Sequence, residues 1–163
     1  MLEGNIEDVQ GLADALRQAW RDSGSGCIRV ALAMPATALI THAIRLPAGL
    51  PEEQLEMLVE LEAAHYMPFP LEDANLDFFT LGPAAPLAGK DGLEIDVLLV
   101  AARRASVQRR LDAAKAAGLL AVVMDSEALA LQAAMAQGGW QTLPDGGSAY
   151  QLAWGLALHG FAR

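Results

Sequence analysis

Cys27, His42, His65 and His159 are the residues with nucleophilic or acid–base capacity, and five glutamates crowd the segment 52–62. A thiolate–imidazole dyad of Cys27 and His42 needs the two strands that carry them to be neighbours. No third group stands ready to orient the imidazole, and Cys27 opens its strand behind the turn "DSGSG" (22–26). His42 falls between Ile40 and Ile44 on the apolar face of its strand, where a hydrogen-bonded core histidine is the simpler reading. His65 has no zinc-pair spacing to Glu60 or Glu62, and His159, near the end of the sequence, reads as solvated. Metal-dependent or nucleophilic catalysis therefore has no complete set of residues, and the chain is not expected to be an enzyme.

Phosphate chemistry fares no better. Neither G-x-x-x-x-G-K-[ST] nor G-x-G-x-x-G lies between a strand and a helix. "GSG" (24–26) follows a helix and precedes a strand, the reverse of the order in which a helix dipole cradles an anion. "DGGS" (145–148) does precede a helix, and Ser148 there is expected to act as an N-cap more than as an anion site.

The glutamates divide into two groups. Glu52, Glu53, Glu56 and Glu60 suit a solvated helix face, with the first two beside the positive end of the helix dipole. Glu62 sits seven residues after Leu55, on the apolar stripe of Leu55, Val59 and Tyr66. A carboxylate at that boundary calls for an arginine or backbone N–H groups, and Arg103, Arg104, Arg109 and Arg110 are the candidate cations. Trp20, Trp140 and Trp154 are isolated from one another and form no stacking ladder for bases.

Positioning these residues requires a sizeable core, and the composition supplies one. Of 163 residues 53% are hydrophobic, many of them Ala and Leu, which favours packed helices over a β sandwich. The net charge of −9 opposes phosphate backbones and anionic lipid, so no nucleic-acid partner is expected. The longest apolar run, Val97–Ala102, is too short to span a bilayer, so no direct membrane insertion is expected. "MLEGNIEDVQ" does not read as a signal peptide, and a single Cys fits a reducing cytosol.

Apolar residues from Val9 to Trp20 recur at spacings of three and four and predict a helix over 8–21. Strands are predicted over 27–34 and 38–46, the first stopped by Pro35 and the second by Pro47. A helix follows over 51–66, with Pro51 at its first position; Pro68 forbids its extension. Strands over 76–81 and 93–102 flank a Gly/Pro-rich loop, 82–92. A helix over 106–117 ends at Gly118 as a left-handed cap. A strand over 119–125, a helix capped by Asp125 or Ser126 and closed at Gly138-Gly139, and a helix over 149–158 complete the order α-β-β-α-β-β-α-β-α-α. The fold class is α+β (α/β), without internal repeats.

Between the Glu-rich helix and the next strand stands Met67-Pro68-Phe69-Pro70. Proline restricts both itself and its predecessor, so Tyr66 and Phe69 are held with little freedom left to lose on binding. Apolar residues at a fixed bend, bounded by carboxylates, suit a short partner segment. The plainer alternative is that Phe69 covers the local core.

Four segments resemble the type IV pilus assembly protein PilM family. They are "LEGNIEDVQGLADALRQAW" (2–20), "VELEAAHYMPFPLEDANLDFFTLGP" (59–83), "VLLVAARRASVQRRLDAAKAAGLLAVVMDSEALAL" (97–131) and "AYQLAWGLALHGF" (149–161). The most specific is the second, with its E-x-x-x-Y-x-P-[FY]-P core at Glu62, Tyr66, Pro68, Phe69 and Pro70.

The resemblance implies a partial actin-like fold, similar also to the cell-division protein FtsA. In it, 36–102 would form a strand-helix-strand-strand insert subdomain, and 1–35 with 103–163 the remnant of the larger actin-like lobe. It implies a cytoplasmic, non-catalytic assembly protein that binds the cytoplasmic tail of the inner-membrane protein PilN in a groove between subdomains. Glu62, Tyr66, Pro68, Phe69 and Pro70 are the expected partner-binding residues. The family's Gly-Ile-Asp-Ile-Gly-Ser-Ser-like hairpin is not in this sequence, and only "QGGWQTLPDGGS" (137–148) stands where its second lobe would fall. The actin-like nucleotide cleft needs both lobes, so ATP is expected as a cofactor only in a full-length family member, and an actin-like ATPase is the alternative function. The missing hairpin would leave strand 27–34 or its neighbour with an open edge, which predicts self-association.

Overall fold

The computed structural model of the chain describes residues 6–85, 92–136 and 148–158. The chain divides into two units: Leu39–Ala105, and Met1–Ala38 together with Ser106–Arg163. Each has its own core.

In the discontinuous unit, helix α1 (Val9–Ser23) starts where Asp8 accepts a 2.7 Å hydrogen bond from the Gly11 N–H. Strand β1 (Arg29–Met34) begins two residues later than expected, and the Cys27 N–H donates locally to the Ser25 hydroxyl at 3.2 Å. Its partner is β5 (Leu120–Ser126), aligned parallel, with a register shift between Val30 and Ala31. Helix α3 (Arg104–Ala116) leads into β5. It ends at Gly118, whose φ of 83° is the left-handed conformation expected there. The Gly118 N–H reaches the Lys115 carbonyl at 3.0 Å and the Leu119 N–H reaches that of Ala114 at 2.9 Å, the paired bonds of a Schellman cap. Arg17 on α1 donates to the Ala116 carbonyl at 2.6 Å, occupying another free acceptor at the same helix end.

Ala13, Ala114, Ala117 and Leu119 form the core between these helices and strands, with Leu16, Trp20, Val30, Leu32 and Ala121 packed around it. Small residues let α1 and α3 lie close to the sheet. Helix α4 (Glu127–Ala136) is capped by the Ser126 hydroxyl, which accepts from Leu129 N–H at 3.3 Å. It packs on α5 (Ser148–Leu158), where a Cβ added to Gly155 would overlap the Ala130 backbone. Among the described residues no third strand pairs with β1 or β5, and Ile28, Leu120 and Val122 are exposed. Gly138-Gly139, Trp140 and His159 lie outside the described residues, as does most of the segment 137–148.

The continuous unit is an antiparallel three-stranded sheet with one helix. β2 (Leu39–Pro47) and β3 (Ala74–Pro83) flank the central β4 (Glu94–Arg103), and α2 (Glu52–Tyr66) packs on one face. Alternation fixes the buried face. Ile44, Leu46, Val97 and Leu99 meet Val59 and Ala63 of α2, and Leu55, Leu58, Leu76 and Phe78 complete the core. On the other face Arg45 and Asp96 are register partners and form a 3.0 Å ion pair.

Two expectations are corrected here. Pro51 is the N-cap of α2, with ψ of 150°, and not its first helical residue. β3 runs from Ala74 to Pro83, beyond the expected 76–81, because a bulge between Thr80 and Gly82 lets pairing to Asp96 and Ile95 continue. Gly82, with φ of 134°, permits it. Residues 86–91 of the loop that follows lie outside the described residues.

Candidate functional site

Helix α2 stops at Tyr66 because Pro68 has no N–H to continue the ladder, and Met67 turns extended at φ −81°, ψ 127°. The Met67 N–H still reaches the Ala63 carbonyl, 3.1 Å away. Pro70 then caps a 3-10 turn, Leu71–Asp73, closed by an Asp73 N–H to Pro70 carbonyl bond of 3.0 Å, and β3 starts at Ala74. The corner is thus fixed at both ends by backbone bonds, with two proline φ angles set between them.

Its aromatic side chains are each held by a neighbour from the sheet. Tyr66, 41% exposed, stacks on His42 of β2 with ring centroids 3.7 Å apart and planes 26° from parallel. The Phe69 ring is half-buried beneath the Arg103 guanidinium, which lies 4.2 Å from its centroid. Arg104, the first residue of α3, donates to the Ala74 carbonyl at 3.2 Å and ties the chain just beyond the corner. Pro68 and Pro70 are exposed. Tyr66 is therefore exposed and Phe69 half-buried, both on a backbone with little freedom.

His42 is half-buried on the same sheet face as Ile44 and Leu46, opposite Leu99 in register. The contact that holds it is the Tyr66 ring stack; the expectation of a hydrogen-bonded core histidine overlooked that the helix end reaches it. Glu62 is half-buried, and it makes no ion pair or hydrogen bond with another described residue. The arginines expected to meet it are engaged elsewhere. Arg103 covers Phe69, Arg104 binds Ala74, Arg109 donates to the Ile6 carbonyl at 3.3 Å, and Arg110 donates to the Ser106 carbonyl at 3.0 Å. Burial lowers the pKa of Arg110 and the nearby Glu127 charge opposes that shift; the guanidinium remains a cation at physiological pH.

Cys27 is exposed, and its thiol donates to the Arg29 carbonyl at a sulfur–oxygen distance of 3.7 Å. Among the described residues no group of three or more His, Cys, Asp or Glu is placed to hold a metal ion. None of the described helices is long and apolar enough to cross a membrane. Sequence reasoning missed two contributors to the corner, the His42 ring and the Arg103 guanidinium. Only the register of β2 and β4 brings them there.

Comparison with known proteins gives the family and the fold. The family model described as type IV pilus assembly protein PilM matches residues 1–161. Among solved structures, the PilM–PilN type IV pilus biogenesis complex contains a chain similar to this one at 29% identity with a TM-score of 0.73. The match covers 86% of this chain and 41% of that chain, so the present sequence spans about two fifths of its length. The cytoplasmic domain of EpsL, an inner membrane component of the type II secretion system of Vibrio cholerae, matches at 22% identity with a TM-score of 0.51. That match covers 72% of this chain and 44% of the other. It reflects a shared fold alone.

Proposed function

We propose a recruiting role without catalysis for this chain, which belongs to the family of the type IV pilus assembly protein PilM. In this reading it works in the cytoplasm and binds the cytoplasmic tail of a PilN-like inner-membrane protein, staying peripheral to the membrane through that partner. The binding surface is the bend after α2, with Tyr66 and Phe69 as apolar anchors, Pro68 and Pro70 fixing them, and Glu62 as the carboxylate at the margin. The fold it shares with the PilM of a PilM–PilN complex supports the choice of partner. The observation that carries the choice of surface is the pair of braced rings, Tyr66 on His42 and Phe69 under Arg103. Rings already immobilised lose little entropy when a peptide docks.

Isothermal calorimetry with a PilN tail peptide tests this. Phe69→Ala is expected to weaken binding by about tenfold or more, as loss of an aromatic anchor does, while the urea midpoint moves little. A folded Phe69→Ala protein that binds as before removes the corner from the function. ATP titrated separately distinguishes the alternative, an actin-like ATPase: saturable ATP binding at micromolar strength would reverse the ranking. Self-association through the open edge of β1 or of its neighbour β5 belongs to the same proposal. Light scattering that gives a monomer at high concentration counts against it.

A further inference from the structure

Helix α2 is apolar on two sides. Leu55, Leu58, Val59 and Ala63 face the sheet. On the far side Gln54, Met57, Leu61 and Ala64 recur at spacings of three, four and three, the pattern of a seam that packs against another helix. Met57 is 68% exposed and Leu61 60% exposed, both large apolar side chains left in water on an ordered helix. Together with Leu58 and Leu71 they line a groove of about 600 Å³ whose walls are apolar apart from Gln54 and Glu60. Glu60 and Leu71 also border a second, more polar cavity of about 440 Å³, to which Glu72, Asn75 and Arg104 contribute.

Charge decides what fits there. Glu53, Glu56 and Glu60 run along one margin of the seam at spacings of three and four, all exposed, and the helix contains no Lys or Arg. In the second cavity the Arg104 guanidinium is bound to the Ala74 carbonyl, and Glu60 and Glu72 add two carboxylates. A second copy of α2 would bring the same carboxylates and no cation to meet them. Laid antiparallel, Glu53 of one copy would face Glu60 of the other.

We propose that this outer face of α2 docks an amphipathic helix of another protein, apolar at the same three–four spacing and carrying Lys or Arg beside that seam. Its apolar side chains fill the groove between Met57, Leu58 and Leu61. Its cations lie along Glu53, Glu56 and Glu60, one of them reaching toward Glu72. This surface adjoins the Pro-Phe-Pro corner at Leu71 and Glu72 but uses neither Tyr66 nor Phe69, and it does not depend on the function proposed for them.

The probe is a short heptad peptide with leucine at the seam positions and lysine beside them, compared with the same peptide carrying glutamate in place of lysine. Calorimetry should show binding of the lysine peptide, weakened by added salt, and none of the glutamate peptide. Leu61→Glu and Met57→Glu each alter an exposed side chain, leave the urea midpoint near that of the parent, and should weaken binding by about tenfold or more. The Glu53→Lys/Glu60→Lys double variant should reverse the preference to the glutamate peptide. Phe69→Ala should bind the lysine peptide unchanged. Equal binding of both peptides, binding of neither, or loss of binding in Phe69→Ala overturns the proposal. So does a concentration-dependent dimer that Leu61→Glu abolishes, since that makes a second copy the occupant.

Discussion

Gly155→Ala sets two effects of opposite sign against each other at a single carbon. Alanine is the better helix former, and in an open helix the exchange would stabilise by about 0.8–1.0 kcal/mol. Here α5 crosses α4 so closely that the new Cβ falls within the Ala130 carbonyl group, its nearest neighbours being the oxygen, carbonyl carbon and Cα of that residue. Backbone cannot swing aside as a flexible side chain can, so the two helices must separate. The separation would loosen the packing around the buried Ala130 and Ala134. Overpacking costs about 1–3 kcal/mol, and a clash with backbone belongs in the upper part of that range, so after the propensity gain a net loss of about 1–2 kcal/mol remains. Residues 39–105 contain no tryptophan, so urea unfolding followed by tryptophan fluorescence does not report on the continuous unit and reads the change made at Gly155. With a slope of about 2 kcal/mol per molar, the midpoint should fall by roughly 0.5–1 M. Gly26 supplies the control: nothing lies within 4 Å of an added Cβ. Gly26→Ala should stabilise by about 0.4–1 kcal/mol through the unfolded chain, a midpoint rise of roughly 0.2–0.5 M. A Gly155→Ala midpoint equal to or above the parent's would refute the close helix crossing.

Three further changes probe other parts of the fold. Leu99→Ala removes a fully buried side chain from the centre of the β2–β4–β3 sheet and should cost about 3–4 kcal/mol, seen as early loss of far-ultraviolet circular dichroism in urea. Asp8→Ala deletes the carboxylate that accepts from the Gly11 N–H and should lower the fluorescence-detected stability by about 1 kcal/mol. A double-mutant cycle on Arg45 and Asp96, both partly exposed, should return a coupling of about 0.2–1 kcal/mol that shrinks as salt is raised.

Local rules carried most of the fold. Pro68 dictated where α2 ends, Gly118 where α3 ends, and Asp8 and Ser126 capped the helices that follow them. Strand ends were less legible, because pairing across a bulge, as at Gly82, depends on the partner strand and not on the segment itself. The same limit applies at the corner. Its backbone could be read from two prolines, but its bracing comes from His42 and Arg103, which are distant in sequence and arrive through sheet register. Glu62 illustrates the opposite error. Four arginines were at hand in the sequence, yet carbonyls at Ala74, Ile6 and Ser106 and the Phe69 ring claim them. The outer seam of α2 had a signal that the single stripe of Leu55, Val59 and Tyr66 obscured: Met57, Leu61 and Ala64 repeat with a seam's spacing on the other side.

Because Leu39–Ala105 interrupts the chain between β1 and β5, ribosomal synthesis delivers the first of these parallel strands long before the second. Bringing them together across a disordered tether of that length would cost about 4 kcal/mol of entropy. The pairing of Leu39 with Ala102 shortens that tether to residues 35–38 and 103–119, most of them in α3, once the insert has folded, since these partners lie almost at its two ends. The insert thereby acts as a staple for its host, and damage to its interior should delay the host's assembly even where no host residue has changed.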